Sequence, residues 1–394
     1  MTEVSTTEDF KVIDGSVLEG GGQILRNAIS LAALTRHSIR IENIRHRRSQ
    51  PGLKNQHRTG LELVARISSA KLDGVSNGST KVEFVPGTIE LPGRWKADSV
   101  TAGATTLLLQ IALPLLLFKS SSGPPGQGPS VLSLLGGTNA EQAPQVDYTQ
   151  RIFLPFFRNH FLPTSSSTLL ESSPPPSNPS VELVIKKRGY YPKGGGELEV
   201  RVQPLQPREK LRPVTLKKRG RLVSVRGVVH YAGLPRVVGA DKGAGMNDCL
   251  GEEEKRSEVL VDIAVRREPN QLTKGAGSGI VVWAEFEGGV FLGGSAVGRK
   301  GIEPNEVGRA AVEELNKGIE AGGCVEEWMQ DQMIIFMALA EGKSEVKCGK
   351  EGLSLHTKTA IWVAEQLTAA KFEVEQEESG HWIIRCDGIG FSGQ

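Results

Sequence analysis

Residues 18–26 read LEGGGQILR, so a glutamate and three glycines directly precede an apolar run with helical spacing. Three glycines exceed what a helix cap needs, and each one raises the entropy cost of folding. They would let backbone N–H groups approach an anion at the positive end of the helix dipole. A carboxylate beside an anion is unfavourable unless a divalent cation lies between them. The stretch therefore raises the question of an anion site at a helix start, which the glutamate would fit only with a divalent cation beside it.

A second glycine triplet lies within RGYYPKGGGEL at 188–198. Gly194, Gly195 and Gly196 fall between two predicted strands, where a tight, closely packed connection explains them as well as a functional loop does. Whether this triplet is functional or structural is left open at this point.

Composition restricts the class of protein. The chain has 394 residues with a hydrophobic content of 38%, which predicts two or three globular domains with real cores. The formal net charge of +2 gives no overall case for nucleic acid, so any basic surface must be local. The four cysteines are far apart and read as reduced thiols. With a polar, acidic N-terminus that lacks a signal peptide, we expect a soluble intracellular protein.

The most apolar stretch, TTLLLQIALPLLLF at 105–118, is shorter than a membrane span and contains Pro114. It therefore predicts a buried helix and no membrane partner. Ser, Pro and Gly dominate 120–129 and 164–180, which we interpret as surface insertions.

Without those insertions, the chain repeats an order of two helices followed by strands three times. Helices are predicted at about 23–35, 53–70, 102–118, 147–160, 304–320, 326–341 and 358–370. The interval 205–302 has a different sequence pattern, with basic segments and an acidic helix predicted over 249–267. The predicted fold is α/β. A large domain, 1–204 and 303–394, comprises three repeated two-helix, four-stranded-sheet units, and a smaller α/β domain is inserted at 205–302.

Several phosphate-handling and hydrolytic motifs are absent from the sequence. It has no G-x-x-x-x-G-K-[ST], no G-x-S-x-G, no H-E-x-x-H and no C-x-x-C. LEGGGQ does not match the dinucleotide-binding fingerprint either. If this chain binds or transfers phosphate, it does so with a site other than those that these motifs form.

His356 lies in EGLSLHTKTAIWVAEQL, where the apolar stripe predicts a helix capped by Ser354 or Thr357. A histidine at that helix start is kept neutral by the dipole, which leaves a ring nitrogen free to act as nucleophile or base. Taken alone, a surface histidine that only caps the helix is the simpler interpretation.

Two further segments carry candidate groups. IRHRRSQPGLKNQH at 44–57 places several arginines in a loop before a helix, which suits bidentate phosphate contacts, although a solvated charge run is the plainer alternative. Gln56 and His57 follow in that helix, where a half-buried histidine is as good an interpretation as a ligand. In EEWMQDQMIIFMALA at 326–340, Trp328, Asp331 and Gln332 suit stacking and hydrogen bonding of a purine, or simply a core tryptophan beside solvated polar groups.

Taken together, these segments resemble the RNA 3′-terminal phosphate cyclase family. The similarity covers nearly the whole chain apart from the two insertions, is weakest across 205–302, and is most specific in RGYYPKGGGEL. The matching segments are DGSVLEGGGQILRNAISLAALT (14–35), IRHRRSQPGLKNQH (44–57), TAGATTLLLQIALPLLLF (101–118), GGTN (136–139), RGYYPKGGGEL (188–198), WMQDQ (328–332) and SLHTKTAIWVAEQL (354–367).

The resemblance implies an enzyme whose reaction steps are similar to those of nucleic-acid ligases. It would adenylylate itself with ATP, move AMP to an RNA 3′-phosphate, and let the 2′-hydroxyl displace AMP to form a 2′,3′-cyclic phosphate. His356 matches the nucleophile that carries AMP. Glu19 matches the metal-proximal glutamate, which implies Mg²⁺ or Mn²⁺ and reconciles the acid with its glycines.

The resemblance also implies roles for the remaining candidates. Trp328, where the family more often has tyrosine, would stack the adenine. The other implied nucleotide-site residues are Asp331, Gln332, Gln110, Gly20, Gly21 and Gly22, and the implied phosphate- or RNA-binding residues are Arg26, Arg45, Arg48, Gln56 and His57.

Two functions other than RNA cyclisation are alternatives for this chain. A cyclase-like relative in ribosome assembly lacks the nucleophile and acts as an RNA-binding scaffold, which His356 and its segment disfavour. An enolpyruvyl-type transferase shares the repeated rhythm but would have no adenylate pocket. The insertions suggest a eukaryotic protein, and RNA processing predicts the nucleus, with KKRGR at 217–221 as a weak import signal. The RNA substrates and oligomeric state are left open.

Overall fold

The computed structural model of the chain describes residues 9–118, 128–163, 179–249 and 259–393, with the side chains of 244–249 left undescribed. The two predicted surface insertions lie almost wholly outside the described residues.

The first repeat alternates strands and helices and ends in a hairpin. Its sheet has the order β1-β2-β4-β3, with β1 parallel to β2 and the other pairs antiparallel. The elements are β1 (Lys11–Asp14), α1 (Gly22–Thr35), β2 (Ile39–Glu42), α2 (Asn55–Ile67), β3 (Lys71–Asp73) and β4 (Val82–Val85).

The second repeat has the same plan, with sheet order β5-β6-β8-β7. A π-helical turn at Thr149–Phe153 joins its last two helices. The elements are β5 (Arg94–Asp98), α3 (Thr105–Leu117), β6 (Ser130–Gly136), α4 (Val146–Tyr148), α5 (Leu154–His160), β7 (Ser180–Lys187) and β8 (Gly196–Gln203).

A strand of two residues, β9 (Thr215–Leu216), precedes a fourth, independent sheet. This sheet has the order β11-β10-β12-β13, and only β10 and β11 are parallel. The elements are β10 (Leu222–Ala232), α6 (Val237–Cys249), β11 (Leu260–Arg267), β12 (Gly277–Phe286), β13 (Val290–Val297) and α7 (Pro304–Glu320).

The third repeat follows the fourth sheet and takes β9 as its first strand. Its sheet order is β15-β16-β14-β9, with β9 parallel to β14, so all three repeats share one topology. The elements are α8 (Glu327–Leu339), β14 (Glu341–Lys347), α9 (Leu355–Leu367), β15 (Lys371–Gln376) and β16 (Trp382–Ile389). The predicted fold of three repeated units with an inserted α/β domain is confirmed.

Three details differ from the prediction. The acidic helix predicted over 249–267 is wrong within the described residues, because Leu260–Arg267 forms a strand parallel to β10. Its alternating Val and Ile side chains favour a strand, and this preference outweighed the helical charge pattern. The helix at Val237–Cys249 was not predicted, and neither were the short strands that open each repeat.

The helix at 304–320 was assigned to the third repeat, but it packs on the fourth sheet. A Cβ on Gly294 of β13 would lie 2.2 Å from the carbonyl oxygen of Ala311 in α7. At the other end, β9 pairs in the large domain although it lies inside the predicted 205–302. These contacts favour an insertion that begins after Leu216 and ends before Val325.

The repeats are held together by buried apolar surface. The ring of Phe157 in the second repeat lies 4.7 Å from that of Phe336 in the third, centroid to centroid. The Ser30 hydroxyl donates to the Ile111 carbonyl at 2.7 Å, which joins α1 to α3. As predicted, the apolar run at 105–118 forms a buried helix. Within the described ranges, no helix is both long and apolar enough to cross a membrane.

Candidate functional site

The glycine loop between β1 and α1 is shaped around three side chains that the sequence predicts for the site. A Cβ on Gly21 would lie 2.0 Å from Oε1 of Glu19, and a Cβ on Gly22 would lie 2.8 Å from Nη1 of Arg26 and 2.9 Å from Nε2 of His57. Any larger residue would therefore displace these groups. Gly21 caps α1 without a side-chain hydrogen bond, so the first N–H groups of the helix have no side-chain cap.

Gly20 has a φ of +59° and lies close to the carbonyl of Ser16. The left-handed conformation turns the chain into the helix at a position where a side chain would be strained. The three predicted glycines thus give the loop its shape and leave space at the helix start.

Glu19 connects this loop to two other elements. Its carboxylate forms an ion pair with Arg48, and Nη2 of Arg48 also donates to the Glu19 carbonyl at 3.2 Å. The backbone N–H of Glu19 donates to Oγ1 of Thr359 in α9 at 3.2 Å. The loop is therefore attached to the helix that carries His356.

The chemistry of Glu19 fits a divalent cation. Its Oε2 is buried and has no hydrogen-bond partner within the described ranges of the chain. No group of three or more His, Cys, Asp or Glu side chains capable of holding a metal occurs among the described residues. Magnesium is commonly bound by one or two carboxylates together with substrate phosphates. Glu19 thus suits a cation shared with a nucleotide rather than a closed protein cage.

His356 lies in the first turn of α9, three residues before Thr359. Ser354 is the cap, and its Oγ accepts a hydrogen bond from the Thr357 N–H at 3.2 Å. The imidazole is exposed at the surface. Partial loss of water lowers its pKa below the usual value, and Arg26 lowers the pKa further while Glu19 raises it. A neutral, accessible imidazole at pH 7 follows.

His57 and Gln56 lie at the start of α2 beside the same loop. Nδ1 of His57 accepts the Lys54 N–H at 3.2 Å. Burial, followed by the nearby Arg26 and Arg45, lowers the pKa of His57 to about 3. His57 is therefore neutral, with its proton on Nε2 facing Gly22. Oε1 of Gln56 accepts the Ala104 N–H at 3.0 Å, so this amide also orients the loop before α3.

Arg26 and Asp331 face each other across the site. Nη2 of Arg26 donates to Oε1 of Gln23. Burial lowers the pKa of Arg26, whereas Asp331 and Glu19 raise it. Burial likewise raises the pKa of Asp331 to about 7, against the lowering effect of Arg26. Asp331 can therefore exchange a proton near neutral pH.

The remaining candidate residues are largely buried, and their described contacts are with neighbouring parts of the protein. Arg45 is 8% exposed, and its Nη1 donates to the carbonyls of Gln50 and Gly52 at 2.6 and 3.0 Å, so it fixes its own loop. Gln332 is buried, and its amide donates to the Trp328 carbonyl. Gln110 is half-buried on α3. Their predicted roles in binding stay predictions.

Trp328 lines a cavity of about 420 Å³ between the large domain and the inserted domain. Its indole N–H donates to Oε1 of Glu314 in α7 at 2.7 Å, and Oε2 of Glu314 accepts the Ser295 N–H at 2.6 Å. From the large domain, Gln145 also lines the cavity. The tryptophan is thus partly buried, packing against the hydrophobic core while it forms part of the cavity wall. Sequence analysis missed Glu314, since no motif marks it.

A buried charge network beside this region was also missed. Arg188 is 2% exposed and donates to both carboxylate oxygens of Asp147, at 2.6 and 2.9 Å. Its Nε donates to Glu268 of the inserted domain at 2.7 Å. Arg188 opens the RGYYPKGGGEL segment, so the most specific segment of the sequence joins the two domains.

The fold and site define a repeat-built α/β protein with an exposed, neutral histidine beside a glycine loop and an interdomain cavity. The family profile described as "RNA 3′-terminal phosphate cyclase" matches residues 17–374. A "Probable RNA 3′-terminal phosphate cyclase" of Dictyostelium discoideum is 38% identical, over 97% of this chain and 83% of the relative.

Two further relatives carry the name "RNA 3′-terminal phosphate cyclase". The protein of Drosophila melanogaster is 38% identical, over 97% of this chain and 98% of its own. That of Pyrobaculum aerophilum is 33% identical, over 96% and 99%. The chain therefore belongs to the RNA 3′-terminal phosphate cyclase family, which confirms the resemblance and the expected class of enzyme.

Proposed function

We propose that this protein converts an RNA 3′-phosphate to a 2′,3′-cyclic phosphate at the expense of ATP, through AMP carried covalently on His356. The observation that carries the proposal is the position of His356. It is exposed, has a lowered pKa, and lies on the helix whose Thr359 holds the backbone of Glu19.

In the first step, a ring nitrogen of His356 attacks the α-phosphorus of ATP. A nitrogen–phosphorus bond forms, and the bond to pyrophosphate breaks. The attack needs the lone pair of a neutral imidazole, which the lowered pKa of His356 supplies. The helix start at Gly21 and Gly22 offers backbone donors to the phosphates, and Arg26 adds a positive charge.

In the second step, an oxygen of the RNA 3′-phosphate attacks the phosphorus of the adenylylated histidine. The nitrogen–phosphorus bond breaks and RNA-(3′)pp(5′)A forms. The adjacent 2′-hydroxyl then attacks the 3′-phosphorus, AMP leaves, and the cyclic ester remains. Asp331, with a pKa of about 7, is suited to take the hydroxyl proton.

A divalent cation, held by Glu19 together with nucleotide phosphates, would neutralise the triphosphate and assist departure of pyrophosphate. The buried, unpartnered Oε2 of Glu19 supports this assignment. The interdomain cavity at Trp328 would hold the adenine, and Gln110 and Gln332 would contribute to the nucleotide site. Arg45, Arg48, Gln56 and His57 would bind the RNA phosphate. We place the activity in the nucleus, which imaging of the tagged protein tests.

The test uses the purified protein, ATP labelled at the α-phosphate, a divalent metal and no RNA. We expect acid-labile, alkali-stable label on the protein that disappears in His356→Ala but remains in His381→Ala. The labelled protein should then convert an added 3′-phosphorylated RNA to its cyclic form. Absence of label with both Mg²⁺ and Mn²⁺, in a protein that still binds RNA, would instead support the non-catalytic scaffold.

A further inference from the structure

The second glycine triplet lies against a loop of the inserted domain. A Cβ on Gly195 would lie 2.4 Å from Cδ of Lys274, and a Cβ on Gly275 would lie 3.3 Å from Cδ of Lys193. The stem of each lysine therefore lies next to a glycine in the other loop. Gly195 has a φ of +76°, a conformation that favours glycine, and the contact between the two loops brings lysines from two domains to the same surface.

These two lysines have no acidic partner among the residues that the structure describes. Both are exposed, and neither forms a salt bridge in the part of the chain that the structure describes. Of the neighbouring acids, Glu197 pairs with Lys187 and Glu268 pairs with Arg188. Exposed ammonium groups on one surface that no acid neutralises give that surface a local positive charge, which attracts a polyanion.

An exposed aromatic side chain lies in the same loop. Tyr191 is 80% exposed, whereas its neighbour Tyr190 is buried against Gly277. A tyrosine that contributes nothing to the core, two residues from an unpaired lysine, provides a face on which a base can stack. Stacking faces combined with unpaired cations are typical of surfaces that bind single-stranded nucleic acid.

This surface is continuous with the candidate site. A Cβ on Gly194 would lie 2.7 Å from the carbonyl oxygen of Thr101, in the loop between β5 and α3. The other end of that loop contacts α2, because a Cβ on Gly103 would lie 3.1 Å from Cβ of Gln56. Gln56 adjoins His57 in the site. One short loop thus separates the lysines from the predicted phosphate-binding residues.

We infer that Tyr191, Lys193 and Lys274 form an upstream surface that binds the nucleotides preceding the 3′-phosphorylated end of the RNA. The inference rests on the proposed function and extends it from the reacting end to the body of the substrate. The lysines contact backbone phosphates and the tyrosine stacks a base. The surface therefore favours longer, single-stranded RNA and does not distinguish base sequence.

The experiment compares a 3′-phosphorylated dinucleotide with a dodecanucleotide. In the unaltered protein, the longer RNA is expected to have the lower KM. Lys193→Ala with Lys274→Ala should raise the KM of the dodecanucleotide by about tenfold and reduce the salt dependence of its binding by roughly 0.7 log units per lysine. Self-adenylylation and the dinucleotide KM should not change.

Tyr191→Ala should raise the dodecanucleotide KM by about fivefold, and Tyr191→Phe should not, because phenylalanine retains the stacking face. Lys71→Ala, which removes an exposed lysine from the edge strand β3, is the matched control. A dodecanucleotide KM that is unchanged in the double lysine variant would overturn the inference. Equal effects on both RNAs would also overturn it, since they would indicate disturbance of the reacting end.

Failure of the proposed function gives a different result. The unaltered protein would then cyclise neither RNA and would take up no AMP. In that case, weaker binding of the dodecanucleotide by the double lysine variant would still support the upstream surface. Unaltered binding would overturn it independently.

Discussion

The indole N–H of Trp328 donates a 2.7 Å hydrogen bond to Glu314, and this contact joins the third repeat to the inserted domain. One oxygen of the Glu314 carboxylate fixes the indole while the other accepts a backbone N–H from β13. The wall of the proposed adenine pocket is therefore set by a residue outside the repeats.

Glu314→Ala should raise the ATP concentration needed for half-maximal self-adenylylation by about fivefold to tenfold, because the freed indole loses its fixed orientation. The limiting rate at saturating ATP should change little, since the Glu314 carboxylate holds the indole of Trp328 and the backbone of Ser295 and has no role in the attack proposed for His356. Titration with labelled ATP measures both quantities. Glu313→Ala, at the exposed neighbouring position, is the control. A lower limiting rate with unchanged ATP affinity would contradict this role.

Glu19→Gln tests the metal assignment. An amide can still accept the hydrogen bond from Arg48, but it is a poor ligand for Mg²⁺. We expect self-adenylylation to fall by about a hundredfold at low Mg²⁺ and to recover partly as Mg²⁺ is raised. The readout is the Mg²⁺ concentration for half-maximal labelling. Glu83→Gln, on β4, should leave it unchanged. An identical metal requirement in Glu19→Gln would reject Glu19 as the ligand.

Glu326 predicts a pH-dependent stability. Burial raises its pKa from 4.5 to about 8, against the lowering effects of the Tyr148 hydroxyl and the Trp328 N–H. Below pH 4.5 the Glu326 carboxyl is protonated in both the folded and the unfolded state. In that range its full contribution to the free energy of unfolding is present. That contribution is lost as pH rises towards 8, because only the folded state retains the proton.

Glu326→Gln is neutral at every pH, like the protonated carboxyl, and its amide oxygen can still accept a hydrogen bond of the kind that Tyr148 and the Trp328 N–H donate to Glu326. It should match the unaltered protein at pH 4.5 and exceed it at pH 8 by about 1 kcal/mol or more in free energy of unfolding. Urea unfolding at the two pH values measures this. A constant difference between the proteins would contradict a raised pKa.

The Arg188–Asp147 pair predicts a large loss of stability. Burial alone would raise the pKa of Asp147, but Arg188 lowers it to about 2, so the pair is ionised and out of water. Arg188→Met leaves a buried carboxylate without a partner and should cost about 3–5 kcal/mol in free energy of unfolding.

Asp147→Asn together with Arg188→Met should cost less than Arg188→Met alone, since the fully buried carboxylate at 147 is gone and the only partner lost among the described residues is that of Glu268, which is partly exposed to water. Urea unfolding of the single and double variants separates the cost of losing the ion pair from the cost of leaving a buried charge unpaired. Arg201→Met, which removes an exposed ion pair with Glu199, should cost about 1 kcal/mol or less. Equal costs for Arg201→Met and Arg188→Met would show that the buried network is not a major source of stability.

The repeats could be predicted because their helices carry strong apolar periodicity, and most predicted helices agree with the structure to within a few residues. The opening strands of the repeats have two to five residues, too few for an alternating pattern to stand out. At 260–267, the alternating Val and Ile side chains favour the strand that pairs with β10, and the charge pattern of the wider segment had been given more weight than this alternation.

For the candidate site, the local surroundings could be predicted where one segment contains both the candidate group and the signal for those surroundings. His356 with its helix cap and Glu19 with its glycines are such cases. Glu314 and Lys274 acquire their significance only when the inserted domain folds against the repeats, so no local pattern marks them. Arg45 illustrates the converse, because its position in a basic loop did not reveal that its own loop carbonyls engage it.

The insertion between β9 and α8 has a consequence for the order of folding. In the first repeat, the parallel pair joins Lys11 to Ile39, whereas in the third it joins Thr215 to Glu345. Closing the longer loop costs roughly 1.4 kcal/mol more in chain entropy if the intervening segment is unfolded. Prior folding of the inserted domain shortens the effective loop. The last repeat is therefore expected to assemble late, so that His356 reaches Glu19 only after the rest of the protein has formed.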